Sequence, residues 1–140
     1  MLKVVLDANI FVSAVLKPHS DLARILTWAG EEKIKLILSE EILSEVKAVL
    51  SYPKIKKRHR LTPKDIGEFL EKTARISIIT PEEAKIDQIN EDPSDNKYLS
   101  AAVEGMADFI ISGDHHLNEL RIFQGIRILK PSAFLRLMTK

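Results

Sequence analysis

The stretch Met1-Leu2-Lys3-Val4-Val5-Leu6-Asp7-Ala8-Asn9-Ile10-Phe11-Val12-Ser13 decides the fold. Val4-Val5-Leu6 is a short apolar run without the alternation of a half-exposed strand. It reads as a strand buried on both faces, the kind found in parallel sheets. The run ends at Asp7. Ile10, Phe11, Ala14 and Val15 then recur at helical spacing until Pro18. A buried strand, one acid and an amphipathic helix open a β–α unit.

The same alternation continues outward. Leu22, Ile25, Leu26 and Ala29 mark a second helix, with Ser20 or Asp21 as its cap and Gly30 near its end. Ile34 to Leu38 is the second strand. Ser39 caps a helix striped by Ile42, Val46, Val49 and Leu50, and Tyr52-Pro53 ends it. Lys54 to Arg60 is basic. A helix from Pro63 to about Arg75 precedes a third strand, Ile76 to Ile79. Pro81 to Asn90 is expected to hold at most a helical turn. A helix from about Pro93 to Glu104 leads to a fourth strand, Ala107 to Ser112, which ends at Gly113-Asp114. Arg127 to Leu129 is the last strand, and Pro131 opens a helix carrying Phe134, Leu135 and Met138. Strands alternating with helices specify an α/β fold, a parallel sheet covered on both faces. With no internal repeat and no Pro-, Gly- or Ser-rich linker, one domain over residues 1–140 is expected.

Composition narrows the function classes. Of 140 residues, 45% are hydrophobic and 29% charged, an ordinary globular balance. No apolar run is long enough to span a bilayer, and Asp7 interrupts the N-terminal one too early for a signal peptide. A cytoplasmic protein is the expectation. The absence of cysteine removes disulfides, thiolate zinc sites and a cysteine nucleophile together. The net charge of +1 gives no sign of a nucleic-acid partner, so that argument rests on local charge.

Ligands of open parallel sheets bind at the carboxyl ends of the strands, near the switch in strand order. Asp7 follows the first strand and Asp114 the fourth, so both are expected at one edge. Asp95, at the start of the preceding helix, and Glu45, one turn into the helix after the second strand, are placed to join them. Gathered carboxylates repel unless a cation neutralises them, and hard ions such as Mg²⁺ or Mn²⁺ prefer oxygen ligands. His115 and His116 are adjacent and lack the spacing of a helical zinc site. Each acid also has a structural reading. Asp92-Pro93-Ser94-Asp95 is a helix start like Thr62-Pro63-Lys64-Asp65 and Thr80-Pro81-Glu82-Glu83. Asp7 and Asp114 fit as caps, and Glu45 as an ordinary half-exposed helix residue. Glu40 and Glu41 suit the helix dipole.

Four segments carry a family resemblance: Val5-Leu6-Asp7-Ala8-Asn9-Ile10-Phe11-Val12-Ser13, Leu38-Ser39-Glu40-Glu41-Ile42-Leu43-Ser44-Glu45-Val46, Asp92-Pro93-Ser94-Asp95-Asn96-Lys97 and Ile111-Ser112-Gly113-Asp114. In this order they resemble the PIN-domain family, and within it the toxins of type II toxin–antitoxin pairs. The resemblance implies a three-layer α/β/α fold around a mostly parallel sheet. It implies a metal-dependent endoribonuclease in which Asp7, Glu45, Asp95 and Asp114 hold Mg²⁺ or Mn²⁺. Asn9, Ser13, Asn96 and Ser112 would support them by hydrogen bonds. It further implies products with a 5′-phosphate and a 3′-hydroxyl, a homodimer and an antitoxin partner. The spacing to Asp114 leaves the third acid open between Asp92 and Asp95. Asp95 is taken as the ligand and Asp92 as a supporting residue.

RNA needs a positive surface, and Lys54, Lys56, Lys57, Arg58 and Arg60 form the one dense basic run. The same run also reads as a solvated charged turn. Tyr98 fits either a base-stacking residue or the core. Trp28, Phe109, Phe123 and Phe134 read as core or interface, and the apolar stripes of the early helices are the expected place for a dimer contact. Two rival readings remain. A receiver-like phosphoacceptor domain would also gather acids at strand ends and use Lys130-Pro131. Against it, the strand Ile76 to Thr80 has no aspartate at its end, and the first strand ends in one acid, not a pair. The other rival is a non-catalytic PIN-fold RNA-binding module.

Overall fold

A computed structural model describes residues 1–84, 86, 87, 89 and 93–139. In chain order the elements are β1 (Leu2–Leu6), α1 (Ala8–Leu16), α2 (Asp21–Gly30), β2 (Ile34–Leu38), α3 (Glu40–Leu50), α4 (Pro53–His59), α5 (Pro63–Arg75) and β3 (Ser77–Ile79). A 3-10 turn (Pro93–Asp95) runs into α6 (Asn96–Gly105). Then come β4 (Phe109–Ile111), α7 (His115–Leu120), β5 (Ile122–Phe123), β6 (Ile126–Leu129) and α8 (Pro131–Met138). The strands form one sheet in the order β3-β2-β1-β4-β6-β5. All pairings are parallel except β5 with β6.

The sheet is covered on both faces, and register shows by what. Val5 pairs with Ile37 and Ile110, so these three share a face. Gly105 of α6 packs there, so closely that an added Cβ would lie 2.6 Å from Ile37 Cγ2. Val4 pairs with Leu36 and Phe109 on the opposite face. Phe109 meets Phe134 of α8 edge-on at 6.0 Å between centroids, and Phe134 meets Trp28 of α2 at 6.2 Å. The central strand β1 therefore has water on neither side, and Val4, Val5 and Leu6 are fully buried. Burial of each such side chain contributes about 1.5–3 kcal/mol. This is why the run carries no alternation.

Several local expectations are corrected. The segment Lys54 to Arg60 is not a turn: Pro53 opens α4, and Arg60 closes it in the left-handed region (φ 57°). The end of α4 is tied down by His59, whose Nε2 bonds the Leu50 carbonyl at 2.8 Å while Nδ1 accepts the Leu61 N–H at 2.8 Å. Asp114 fits as a cap, and what it caps is a helix, α7. β5 was not foreseen. It folds back on β6 through Gln124 (φ 49°) and Gly125 (φ 82°), two positive-φ residues as a tight hairpin requires. Two residues are too few to show a period. The described part of 81–90 holds no helix. Among the described residues, no helix is long and apolar enough to cross a membrane.

The apolar stripes of α1 and α2, the expected place for a dimer contact, pack on the core with Val15, Leu16, Leu22 and Leu26 only partly buried. Among the described residues, the large hydrophobic side chains left exposed are Met1, Tyr52, Ile76, Ile79, Met106, Ile122 and Leu137, none of them on α1 or α2.

Candidate active site

β1 and β4 end level: Leu6 pairs with Ile111, and the Asp7 N–H donates to the Ile111 carbonyl at 3.0 Å. From β1 the chain order runs to β2 and β3 on one side and to β4 on the other. Asp7 and Asp114 thus leave the sheet at its switch point. Ser112 joins them. Its fully buried hydroxyl donates to Asp7 Oδ2 at 2.7 Å and accepts the Asp114 N–H at 2.9 Å. Asp7 also caps α1, its Oδ1 accepting the Asn9 N–H at 3.0 Å. Asp114 caps α7, and Asn118 Nδ2 closes the turn on the carbonyls of Ser112 (2.7 Å) and Asp114 (2.8 Å). Capping and site geometry therefore use the same two acids.

Glu45 reaches this edge from α3 and is held at both oxygens from α6. The Tyr98 hydroxyl donates to Oε1, lies 3.5 Å from Asp7 Oδ1, and accepts the Ala8 N–H at 3.1 Å. Burial pushes the Tyr98 phenol well above its ordinary range, reinforced by the Asp7 charge and the bond to Glu45. It is a neutral donor, not a base. Lys97 Nζ pairs with Glu45 Oε2 at 2.8 Å and also donates to the Ser94 carbonyl. The Lys97 side chain is 5% exposed against 33% for Glu45. One cation is thus built into the acidic edge.

Asp95 precedes α6 at its cap position, yet its side chain makes no capping bond, unlike Thr62 and Asp65, which form a full capping box on α5. The Asp95 side chain, more than the His116 N–H, holds Asp114 below the usual carboxylate range against the effect of burial. A cation among these carboxylates would relieve their mutual repulsion. Asp7, Glu45, Asp95 and Asp114 all line one cleft of ≈ 420 Å³. Asp114 Oδ2 is buried there and receives no hydrogen bond. Among the described residues no three acids or histidines are drawn together as a metal-ligand set; the carboxylates stand around the cleft. Oxygen donors and an orphaned carboxylate oxygen fit a hard divalent cation.

The PIN-domain family profile matches residues 3–116, from β1 to just past Asp114. The chain belongs to the PIN-domain family. PIN domains are generally nucleases, and such nucleases generally use divalent metals and engage nucleic acid. The chain is also 33% identical over 120 residues to an uncharacterized protein of Methanocaldococcus jannaschii, covering 86% of this chain and 76% of that one. The receiver reading is overturned. Its strand order would be 2-1-3-4-5, which the sheet here does not follow.

The remaining predicted residues of the PIN domain divide. Asn9 lines the cleft and Ser112 links two of its acids. Asn96 turns to the loop before it, where Oδ1 accepts the Ile89 N–H (2.9 Å) and Nδ2 donates to the Ile89 carbonyl (3.0 Å). Ser13 sits further along α1 and does not line the cleft. Asp92 lies outside the described residues. Of the basic run, Lys56, Lys57 and Arg60 line one groove, whereas Lys54 and Arg58 do not. Tyr98 is core, so the stacking role does not belong to it. Sequence reasoning weighed Tyr98 only as a stacking or core residue and missed Lys97, Tyr98 and Asn118 as the groups that hold Glu45 and the Asp114 turn.

Proposed function

We propose that the 140 residues act as one PIN domain, a metal-dependent endoribonuclease and the toxin of a type II toxin–antitoxin pair. The observation that carries the reading is the convergence of Asp7, Glu45, Asp95 and Asp114 on one cleft, with two of them tied through Ser112. Asp7, Asp95 and Asp114 would hold Mg²⁺ or Mn²⁺, and Glu45 would ligate or orient the attacking water. The ion, when bound, makes that water more acidic and stabilises charge on the phosphodiester.

The chain's own groups set the stage for that step. Ser112 fixes the carboxylate of Asp7 by donating to Oδ2. Tyr98 and Lys97 fix Glu45 at Oε1 and Oε2. Lys97 also offsets one negative charge that would repel the RNA backbone. Lys56, Lys57 and Arg60 supply phosphate contacts.

Manganese binding followed by electron paramagnetic resonance tests the ligand assignment apart from catalysis. Wild type is expected to bind Mn²⁺, with Asp7→Asn and Asp95→Asn weakened at least tenfold. Equal affinity in all three would refute it. The toxin reading predicts growth arrest on induced expression, relieved by Asp7→Asn and by co-expression of the adjacently encoded partner. Arrest that persists in Asp7→Asn would count against it.

A further inference from the structure

Tyr52 stands where two surface features meet. It is 55% exposed, and it lines the acidic cleft together with Asp95 and Asp114. It is also the residue before α4, where it makes no side-chain capping bond. From Pro53 onward the chain lines a second groove of ≈ 490 Å³, walled by Lys56, Lys57 and Arg60 and by no carboxylate. These three cations are in no ion pair among the described residues. The acidic cleft, an exposed aromatic ring and a largely apolar groove that Lys56, Lys57 and Arg60 also line are therefore joined through Tyr52-Pro53. Arg60, the left-handed cap that ends α4, lines this groove together with Lys56 and Lys57 of the helix.

Each part has a counterpart in a nucleic-acid strand. The cations match phosphates, and an exposed aromatic face matches a base face. A base offers its face only when it is unpaired and unstacked, because a duplex presents edges and backbone alone. We propose that Tyr52 is a stacking platform for the base beside the scissile phosphate. The strand's phosphates then continue over Lys56, Lys57 and Arg60. This rests on the nuclease reading of the acidic cleft.

The test is binding of a fluorescent oligoribonucleotide to the full chain, read by anisotropy with chelator present so that no cleavage intervenes. Stacking on one aromatic residue is worth about 1–3 kcal/mol, so Tyr52→Ala should weaken single-strand binding about tenfold. Tyr52→Phe keeps the ring face and should bind within about twofold of wild type. Stacking releases no counterions, so Tyr52→Ala should keep the wild-type salt slope, whereas joint replacement of Lys56, Lys57 and Arg60 by Gln should flatten it. A duplex of the same sequence should bind more weakly and ignore Tyr52→Ala. Tyr52→Ala binding like wild type, or losing duplex and single strand equally, would overturn the proposal. Its failure is separable from that of the nuclease reading. If Asp7→Asn abolishes cleavage while Tyr52→Ala binds as wild type, only the platform falls. If Tyr52→Ala weakens binding but wild type never cleaves with Mn²⁺, only the nuclease falls.

Discussion

Lys97 and Glu45 form the one ion pair with a buried partner among the described residues, and the burial is unequal. Glu45 has access to water when its partner is lost; Lys97, 5% exposed, has little. Leaving a buried charge unpaired costs about 3–5 kcal/mol, and the exposure of Glu45 brings the pair toward the low end. Glu45→Gln is therefore expected to cost about 3 kcal/mol in metal-free denaturation, and Lys97→Met less. The double variant should recover part of the loss, with a coupling on the order of 1–2 kcal/mol; strictly additive losses would contradict the pair. Tyr98 makes a pH prediction. Its folded pKa lies above the ordinary 10.0, so the native state holds the proton more tightly. That contribution is complete below the unfolded pKa and is lost as pH rises beyond it. Stability should thus fall above about pH 10, and fall less steeply in Tyr98→Phe. Equal slopes would show that the phenol is not held. At this scale the acids were legible and their partners were not. Asp7 and Asp114 follow buried strands, which sequence shows. That Lys97 and Tyr98 both turn toward Glu45 depends on how α6 is rotated against the sheet, which periodicity alone does not give.

Rotation and seating of α6 matter because Asp95, Lys97 and Tyr98 lie at its start while Gly105 lies at its end, against Ile37. Ala normally improves a helix over Gly by about 1 kcal/mol. Here the new methyl would meet a fully buried Ile37 side chain that has nowhere to retreat, and overpacking costs about 1–3 kcal/mol. Gly105→Ala is expected to lower the melting temperature and to weaken Mn²⁺ binding, by lifting the helix that carries Asp95. A raised melting temperature would refute the close approach. The main elements were readable in advance because strands buried on both faces and capped helices leave strong patterns. α4 escaped since a charged heptapeptide shows no apolar stripe, and its position depends on Pro53 and the His59 staple. β5 escaped since it exists only as the partner of β6.

Across the whole molecule, a net charge of +1 conceals a separation of charge. Four carboxylates surround one cleft, and a largely apolar groove that Lys56, Lys57 and Arg60 also line is joined to it through Tyr52-Pro53. Composition could not show this, because the acids come from four separate segments and are brought together by the parallel sheet. The family match ends at residue 116, yet the chain beyond it completes the core: Phe134 packs on both Trp28 and Phe109. The central claim is that these acids cut RNA. Its most direct test is cleavage of end-labelled single-stranded RNA with Mn²⁺ or Mg²⁺ by wild type, Asp7→Asn and Asp95→Asn, with and without chelator. The account predicts cleavage by wild type that chelator and each substitution abolish. Cleavage that survives Asp7→Asn, or that ignores chelator, would contradict it.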